Sequence, residues 1–268
     1  MAAFRLGVVD YLNAAPLWYP LKRDSRVELV PDVPSQLASM LRDGAIDAGL
    51  IPIIEYFRSD DLRLVSGMGV CSHGPVRSVR LFRRCPVEMI GSVRLDGNSR
   101  TSAALTQVIL QDLYGIRATY RSGVVDPGRI NDMSEDAALI IGDPALRAAH
   151  NTTLPSLDLG QEWHKLTGRP FVYAGWLIGS GIPEAREGEL AAILRAAAQT
   201  GCAELRRVGI EFLATHTSCG FGESMVLHYL SKVISYTVGD AELAGLDEFA
   251  QRASFLGLCS ERPILLAQ

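Results

Sequence analysis

Leu95-Asp96-Gly97-Asn98-Ser99-Arg100-Thr101-Ser102 is the stretch that decides the fold. The apolar residues within 89–95 form a strand, Gly97 allows a tight turn, and Ser99 opens a helix. In that helix Ala103, Ala104, Val108, Ile109 and Leu113 fall on or near one face, and Gly115 stops it. A strand that turns directly into an amphipathic helix is the repeating unit of an α/β protein. Free backbone N–H groups and the positive end of the helix dipole meet at such a turn, and carboxylates and phosphates bind there readily. Ser99 can cap the helix, while Thr101 and Ser102 can add hydroxyl donors; a well-capped helix with nothing bound fits the same residues.

The same alternation extends on both sides. Upstream, Arg5–Val9 and Val27–Val30 read as strands, Ser35–Arg42 as a helix stopped at Gly44, and Ile46–Ile51 as a strand ending at Pro52. A short helix begins at Ile53, and Leu62–Val65 and Ser78–Phe82 read as further strands. The composition changes at Arg83-Arg84-Cys85-Pro86, where a crossover is expected. Downstream, Ala118–Tyr120 and Ala137–Ile141 read as strands and Pro144–Ala149 as a short helix. The apolar run Phe171–Ile178 reads as the return crossover. The last third reads as helices from Pro183 to about 199, Gly201–Leu213, Gly222–Ser235 and Asp240–Leu256, with Asp240 as an N-cap. Residues 1–83 and 176–268 then form one discontinuous lobe, and 84–175 the other. Two crossings between α/β lobes describe the periplasmic-binding-protein-like type 2 fold, whose ligands sit in the cleft between lobes at strand ends.

The bulk properties exclude several functions. The chain has 268 residues, 21% of them charged, and a formal net charge of −4, so nothing resembles the basic footprint of a nucleic-acid binder. No window is long and apolar enough for a membrane span. The first apolar run, Leu6–Val9, is cut short by Asp10, so no signal peptide is read there and a cytoplasmic location is expected. Five scattered cysteines, Cys71, Cys85, Cys202, Cys219 and Cys259, lack a CxxC pair and suit free thiols better than disulfides or zinc. His73, His150, His164, His216 and His228 form no zinc spacing, and Walker, GxSxG and GxGxxG motifs are missing. Metal, serine-hydrolase and nicotinamide chemistry therefore have no support in the motifs.

Other candidate positions have two readings each. Asn13 follows the first strand and precedes Pro16; it is either a turn residue or an amide donor to a ligand carboxylate. Ser78 begins a strand near the expected hinge and is either an ordinary strand-start serine or an anion contact. Asp143 reads as an N-cap with Pro144 at the first helical position. The aromatic residues of the 171–176 stretch either wall a cleft or fill a core, and Arg169 offers a cation.

Taken in order, GVVDYLNAAPL (7–17), DAGLIPIIEY (47–56), GPVRSVRLF (74–82), LDGNSRTSAAL (95–105), LIIGDPAL (139–146), DLGQEW (158–163) and TGRPFVYAGW (167–176) resemble the chorismate dehydratase family of the futalosine route to menaquinone. GLDEFAQRASFLGL (245–258) is similar to that family's final helix. The resemblance implies a binding-protein fold turned to catalysis, converting chorismate to 3-[(1-carboxyvinyl)oxy]benzoate by loss of water, without metal or organic cofactor. It implies ligand-binding positions at Asn13, Ser78, Ser99, Thr101 and Ser102, of which Asn13 and Ser78 are expected to be catalytic. Tyr11, Arg100, Asp143, Arg169, Tyr173 and Trp176 are further expected substrate contacts, Arg169 standing where that family more often has an apolar residue. The partner implied is the small-molecule substrate, with no nucleic acid and no membrane; the sequence does not set the oligomeric state. Three rivals use the same fold: a carboxylate-binding module without catalysis, a ligand-sensing domain, and a dihydroxynaphthoate synthase-like enzyme. The last should carry a different N-terminal motif and a catalytic histidine.

Overall fold

A computed structural model describes residues 3–217 and 220–267. The chain begins with strand β1 (Phe4–Val8), helix α1 (Ala15–Trp18), β2 (Val27–Pro31), α2 (Pro34–Arg42), β3 (Ala48–Pro52), β4 (Arg63–Val65) and β5 (Gly67–Ser72). It continues through β6 (Val79–Arg83), β7 (Ser92–Asp96), α3 (Thr101–Val108), β8 (Thr119–Gly123), β9 (Ala137–Ile141), α4 (Gly142–Asn151), β10 (Ser156–Asp158) and α5 (Leu159–Thr167). It closes with β11 (Phe171–Ile178), α6 (Glu184–Ala203), α7 (Leu205–Thr215), α8 (Glu223–His228), β12 (Ser235–Val238), α9 (Asp240–Phe255) and β13 (Leu266–Ala267).

Two sheets result. The first runs β12-β5-β11-β3-β1-β2, with β4 also pairing β11 and β13; the second runs β10-β6-β9-β7-β8. Parallel pairing of β1 with both β2 and β3, and of β7 with both β8 and β9, puts the carboxyl ends of each group on one side. Loops leaving those ends face a common gap, as open α/β sheets require of a ligand site. By strand pairing the chain is in the second sheet from Val79 and back in the first by Phe171.

Most local expectations correspond to observed elements. α2 buries Leu37, Ala38 and Leu41, begins on Pro34, and is followed by Gly44 at φ 69°. β3 is buried along its whole length, as expected of a strand covered on both faces. Five points differ from expectation. Phe171–Ile178 is no mere crossover but β11, which pairs antiparallel with β3 and β5 in the middle of the first sheet. β5, reading Gly-Met-Gly-Val-Cys-Ser, was not expected, because two glycines weaken strand propensity. Its Gly69 is there because a Cβ would come within 2.9 Å of the Ala174 carbonyl. The expected helix 222–235 ends before Ile234, and β12 follows on Ser235. Finally, α6 runs through Gly201 to Ala203, because glycine lets that turn lie directly on the Pro16 carbonyl. Asp240 is the first residue of α9, not its cap; the cap is Gly239, whose N–H donates to the Glu242 carboxylate at 2.9 Å.

Cys71, Cys85, Cys202 and Cys259 are free thiols, and Cys219 lies outside the described residues. Among the described residues no helix is long and apolar enough to cross a membrane.

Candidate active site

The gap between the sheets holds a narrow cavity lined from both sides. Val9, Leu50, Ile51 and Val70 of the first sheet's strands and loops, and Val79 and Ile141 of the second, supply apolar wall. Its polar lining comes from Tyr11, Asn13, Asn98, Ser99, Thr101, Ser102 and Tyr173. Arg100 also contributes to the wall.

The β1 side of the cavity is braced from behind. Asp143 lies in the first turn of α4, whose N-cap is Ile141, so the expected capping role is corrected. Its two carboxylate oxygens instead accept the Leu12 N–H, at 3.2 and 3.3 Å. This joins the loop after β1 to the helix after β9, across the gap. Burial pushes the Asp143 carboxyl up to about 6, against the lowering influence of Leu12 N–H, Arg147 and His216. Asp143 does not line the cavity; it fixes the backbone between Tyr11 and Asn13. The Tyr11 ring lies against Gly142, which sits at φ +66° with a would-be Cβ 3.1 Å from the ring. Glycine is required there both for the left-handed backbone and for this close approach. Burial, with Asp96 and Asp143 nearby, raises the Tyr11 hydroxyl to about 12.

Asn13 and Ser78 are brought together through a third residue. The Tyr229 hydroxyl donates to Ser78 Oγ at 2.6 Å and also lies within hydrogen-bonding reach of the Asn13 side chain. Ser78 is fully buried and stands behind Asn13, linked to it through Tyr229, rather than on the cavity surface. Burial drives the Tyr229 hydroxyl far above its ordinary range, so it remains a neutral donor. Sequence reading missed Tyr229. It lies 151 residues from Ser78, and no local pattern marks it.

The opposite side is the start of α3. The N-cap position is Arg100, not Ser99, and it makes no side-chain cap. Arg100 instead pairs with Glu55 at 3.1 Å and donates to the Ser35 carbonyl at 3.2 Å, so its charge is engaged with the first sheet's helices. Thr101 Oγ1 accepts the Ile54 N–H at 3.2 Å, a second tie across the gap. The hydroxyls of Ser99 and Ser102 have no partner among the described residues, which leaves them available to a ligand. Asn98 also lines the cavity; it lies within the quoted 95–102 stretch but was read only as part of a turn.

Tyr173 reaches the cavity from β11, its hydroxyl 3.0 Å from Ser72 Oγ. Two expected contacts lie elsewhere. Trp176 is wholly buried in the core and is not part of the lining. Arg169 has an exposed side chain, which pairs with Glu248 at 3.3 Å, and it is not part of the lining. Among the described residues no histidine, lysine, aspartate or glutamate lines the cavity.

Comparison with known proteins places this geometry in a family. A model described as menaquinone biosynthesis matches residues 4–254. Chorismate dehydratase of Thermus thermophilus is 28% identical over 270 residues, 94% of this chain and 95% of the relative. Chorismate dehydratase of Campylobacter jejuni is 32% identical over 175 residues, 63% of this chain and 64% of the relative. Among solved structures, a protein of Archaeoglobus fulgidus superposes with a TM-score of 0.75 at 16% identity, covering 96% of this chain and 98% of its own. The periplasmic aliphatic sulphonate binding protein of Escherichia coli superposes with a TM-score of 0.68 at 18% identity, covering 96% and 92%. Those two likenesses establish the two-lobed periplasmic-binding-protein-like fold. With its family model spanning nearly all described residues, the chain belongs to the menaquinone-biosynthesis family.

Proposed function

We infer that this protein is a hydro-lyase that dehydrates chorismate to 3-[(1-carboxyvinyl)oxy]benzoate in the cytoplasm, and that its lobes divide where strand pairing changes sheets. One observation carries the reading: the cavity offers many hydrogen-bond donors and no carboxylate, imidazole or amine. Such a lining suits a doubly anionic substrate and supplies no protein base. Tyr11 and Tyr173 are both held protonated by burial, so they act as donors as well.

One carboxylate of the substrate would sit at the start of α3, against Ser99, Thr101 and Ser102, where free N–H groups and the helix dipole favour negative charge. The C3 proton is acidified by the ring carboxylate through the intervening double bond. Its removal leaves an enolate-like dianion, which donors around the ring carboxylate stabilise. Departure of the C4 hydroxyl, taking up the abstracted proton as water, completes the aromatic ring. The substrate's own enolpyruvyl carboxylate is the proton carrier, held by Asn13, while Ser78 and Tyr229 fix the Asn13 amide. Correct placement of reacting atoms supplies much of the rate in such a scheme. The YLN sequence at 11–13 and the lack of a histidine in the lining favour this reading over the dihydroxynaphthoate synthase-like alternative.

The test is incubation of the protein with chorismate while following formation of the aromatic product. No product would reject the activity and leave a binding module. Product formation that survives unchanged in both Asn13→Ala and Ser78→Ala would keep the activity and reject the site.

A further inference from the structure

A second hollow lies on the far side of Tyr229. It is bounded by the start of β6, the later turns of α4, the first turn of α5 and α8, and has about 1750 Å³ of empty space counted out to its mouth. Arg77, Arg80, Arg147 and His150 line it, together with the apolar side chains of Phe221 and Met225.

What sets these arginines apart is that three of them surround one hollow without an ion pair. Elsewhere, Arg23 meets Glu211, Arg63 meets Glu187, Arg206 meets Glu223 and Arg252 meets Asp112. Among the described residues, the guanidinium groups of Arg77, Arg80 and Arg147 have no hydrogen bond or ion pair, although Arg147 lies within Coulombic reach of Asp143, and the Arg80 Nε is buried without a partner. The one carboxylate in the lining, Asp158, is already occupied. It accepts four backbone N–H groups, from Val76, Arg77, Gly160 and Gln161, at 2.7–3.2 Å. Three cations gathered around one hollow repel each other unless an anion joins them, and planar guanidinium groups match a carboxylate in two-point fashion.

The hollow is built on the same elements as the cavity. Arg80 follows Ser78 by two residues on an extended chain, and Arg147 follows Asp143 by four on a helix, so each pair shares a side. Tyr229 serves both spaces: its hydroxyl bonds Ser78, while its side chain lines the hollow.

We propose that this hollow is a second binding site, separate from the catalytic cavity, for a small aromatic carboxylate. The carboxylate sits among Arg77, Arg80 and Arg147, and the ring lies against Phe221 and Met225. This assignment is independent of the dehydration reading.

Isophthalate is the probe, titrated into isotopically labelled protein at low salt while backbone amide resonances are followed. Resonances of Ala149, Phe221, Gly222 and Met225 should move along one binding curve. The affinity read there should fall at least tenfold in the Arg80→Gln, Arg147→Gln double variant. Shifts confined to Thr101–Ala104, or an unchanged affinity in a folded double variant, would overturn the proposal. If that variant does not fold, Arg77→Gly decides instead. Arg77 is exposed at φ 63°, a conformation glycine accepts, so its loss leaves the fold intact. A threefold or greater weakening then supports the site, and no weakening rejects it.

Discussion

The two sides of the cavity are built on different principles. At the end of β1, every functional group is held by a buried partner: Leu12 N–H by Asp143, the Tyr11 ring by Gly142, and Asn13 by the Tyr229–Ser78 pair. At the start of α3, Ser99 and Ser102 have hydroxyls with no partner of their own. Bracing a group costs it freedom but places it to within a fraction of an ångström, which matters for atoms that react. Free hydroxyls adapt, which suffices for holding a charge. The difference assigns reaction to the β1 side and binding to the α3 side.

The strongest test of that division is Asn13→Ala. Loss of a single preorganised donor at a reacting centre costs roughly 10²–10³ in turnover. The expected result is a fall of at least about a hundredfold in kcat on chorismate, with KM changed far less. A mainly KM effect would move Asn13 to the binding side and break the comparison.

Asp143 gives the next largest effect, and a sign that can be worked out. Its carboxyl is raised from 3.8 to about 6 in the fold, so the native protein keeps this proton at pH values where the unfolded chain has lost it. The stability tied to this group is therefore complete below 3.8 and is lost as pH rises through about 6. A shift of about two units corresponds to about 3 kcal/mol. Asp143→Asn keeps an acceptor for Leu12 N–H but cannot ionise. Urea unfolding from pH 4 to pH 7 should show the variant gaining about 3 kcal/mol on the native sequence. Parallel profiles would mean that the Asp143 carboxylate ionises in the fold as easily as in water.

The two sides also differed in how legible they were. The α3 side could be read from sequence because it is local: strand, glycine turn and hydroxyls fall within 95–102, and a helix start presents N–H groups by geometry alone. Asn98 was passed over there, and the cap was expected at Ser99 where the structure has Arg100. The β1 side could not be read fully, because its support comes from residues distant in the chain. Asp143 reads as a cap in sequence, since Asp before Pro is a common cap, and only the approach of α4 to the 11–13 loop gives its carboxylate a different donor. Tyr229 follows a six-residue helix in a part of the chain that sequence placed wholly in helical packing. Arg169 and Trp176 share a stretch with Tyr173, but Trp176 is buried in the core and Arg169 lies outside at a turn. β5 and β12 were missed because glycines and a preceding helix hid their strand character.

Tyr229→Phe sharpens the bracing argument. It removes one hydroxyl that touches no substrate and leaves Ser78 Oγ without its 2.6 Å donor. Loss of a buried hydrogen bond costs about 1–2 kcal/mol, so kcat should fall about tenfold while KM holds. Tyr229 acts here by positioning, and a kcat effect without a KM effect is what a merely structural role would not produce. Ser102→Ala tests the other side. Its hydroxyl is free, so little else changes, and KM should rise about three- to tenfold with kcat nearly constant.

The smallest expected effect is the most discriminating about specificity. Arg169 lies in the same 167–176 stretch as Tyr173, and its charge alone suggests a substrate cation, but its guanidinium pairs with Glu248 near the protein surface. A pair this exposed contributes at most about 1 kcal/mol, and often nothing measurable. Arg169→Ala should therefore leave kcat and KM for chorismate unchanged, with a shift in unfolding free energy below about 1 kcal/mol. A KM that rises tenfold would mean that Arg169 swings from Glu248 into the gap when substrate binds. The α3 hydroxyls would then share the substrate's charge with a mobile cation, and binding would no longer belong to one side alone.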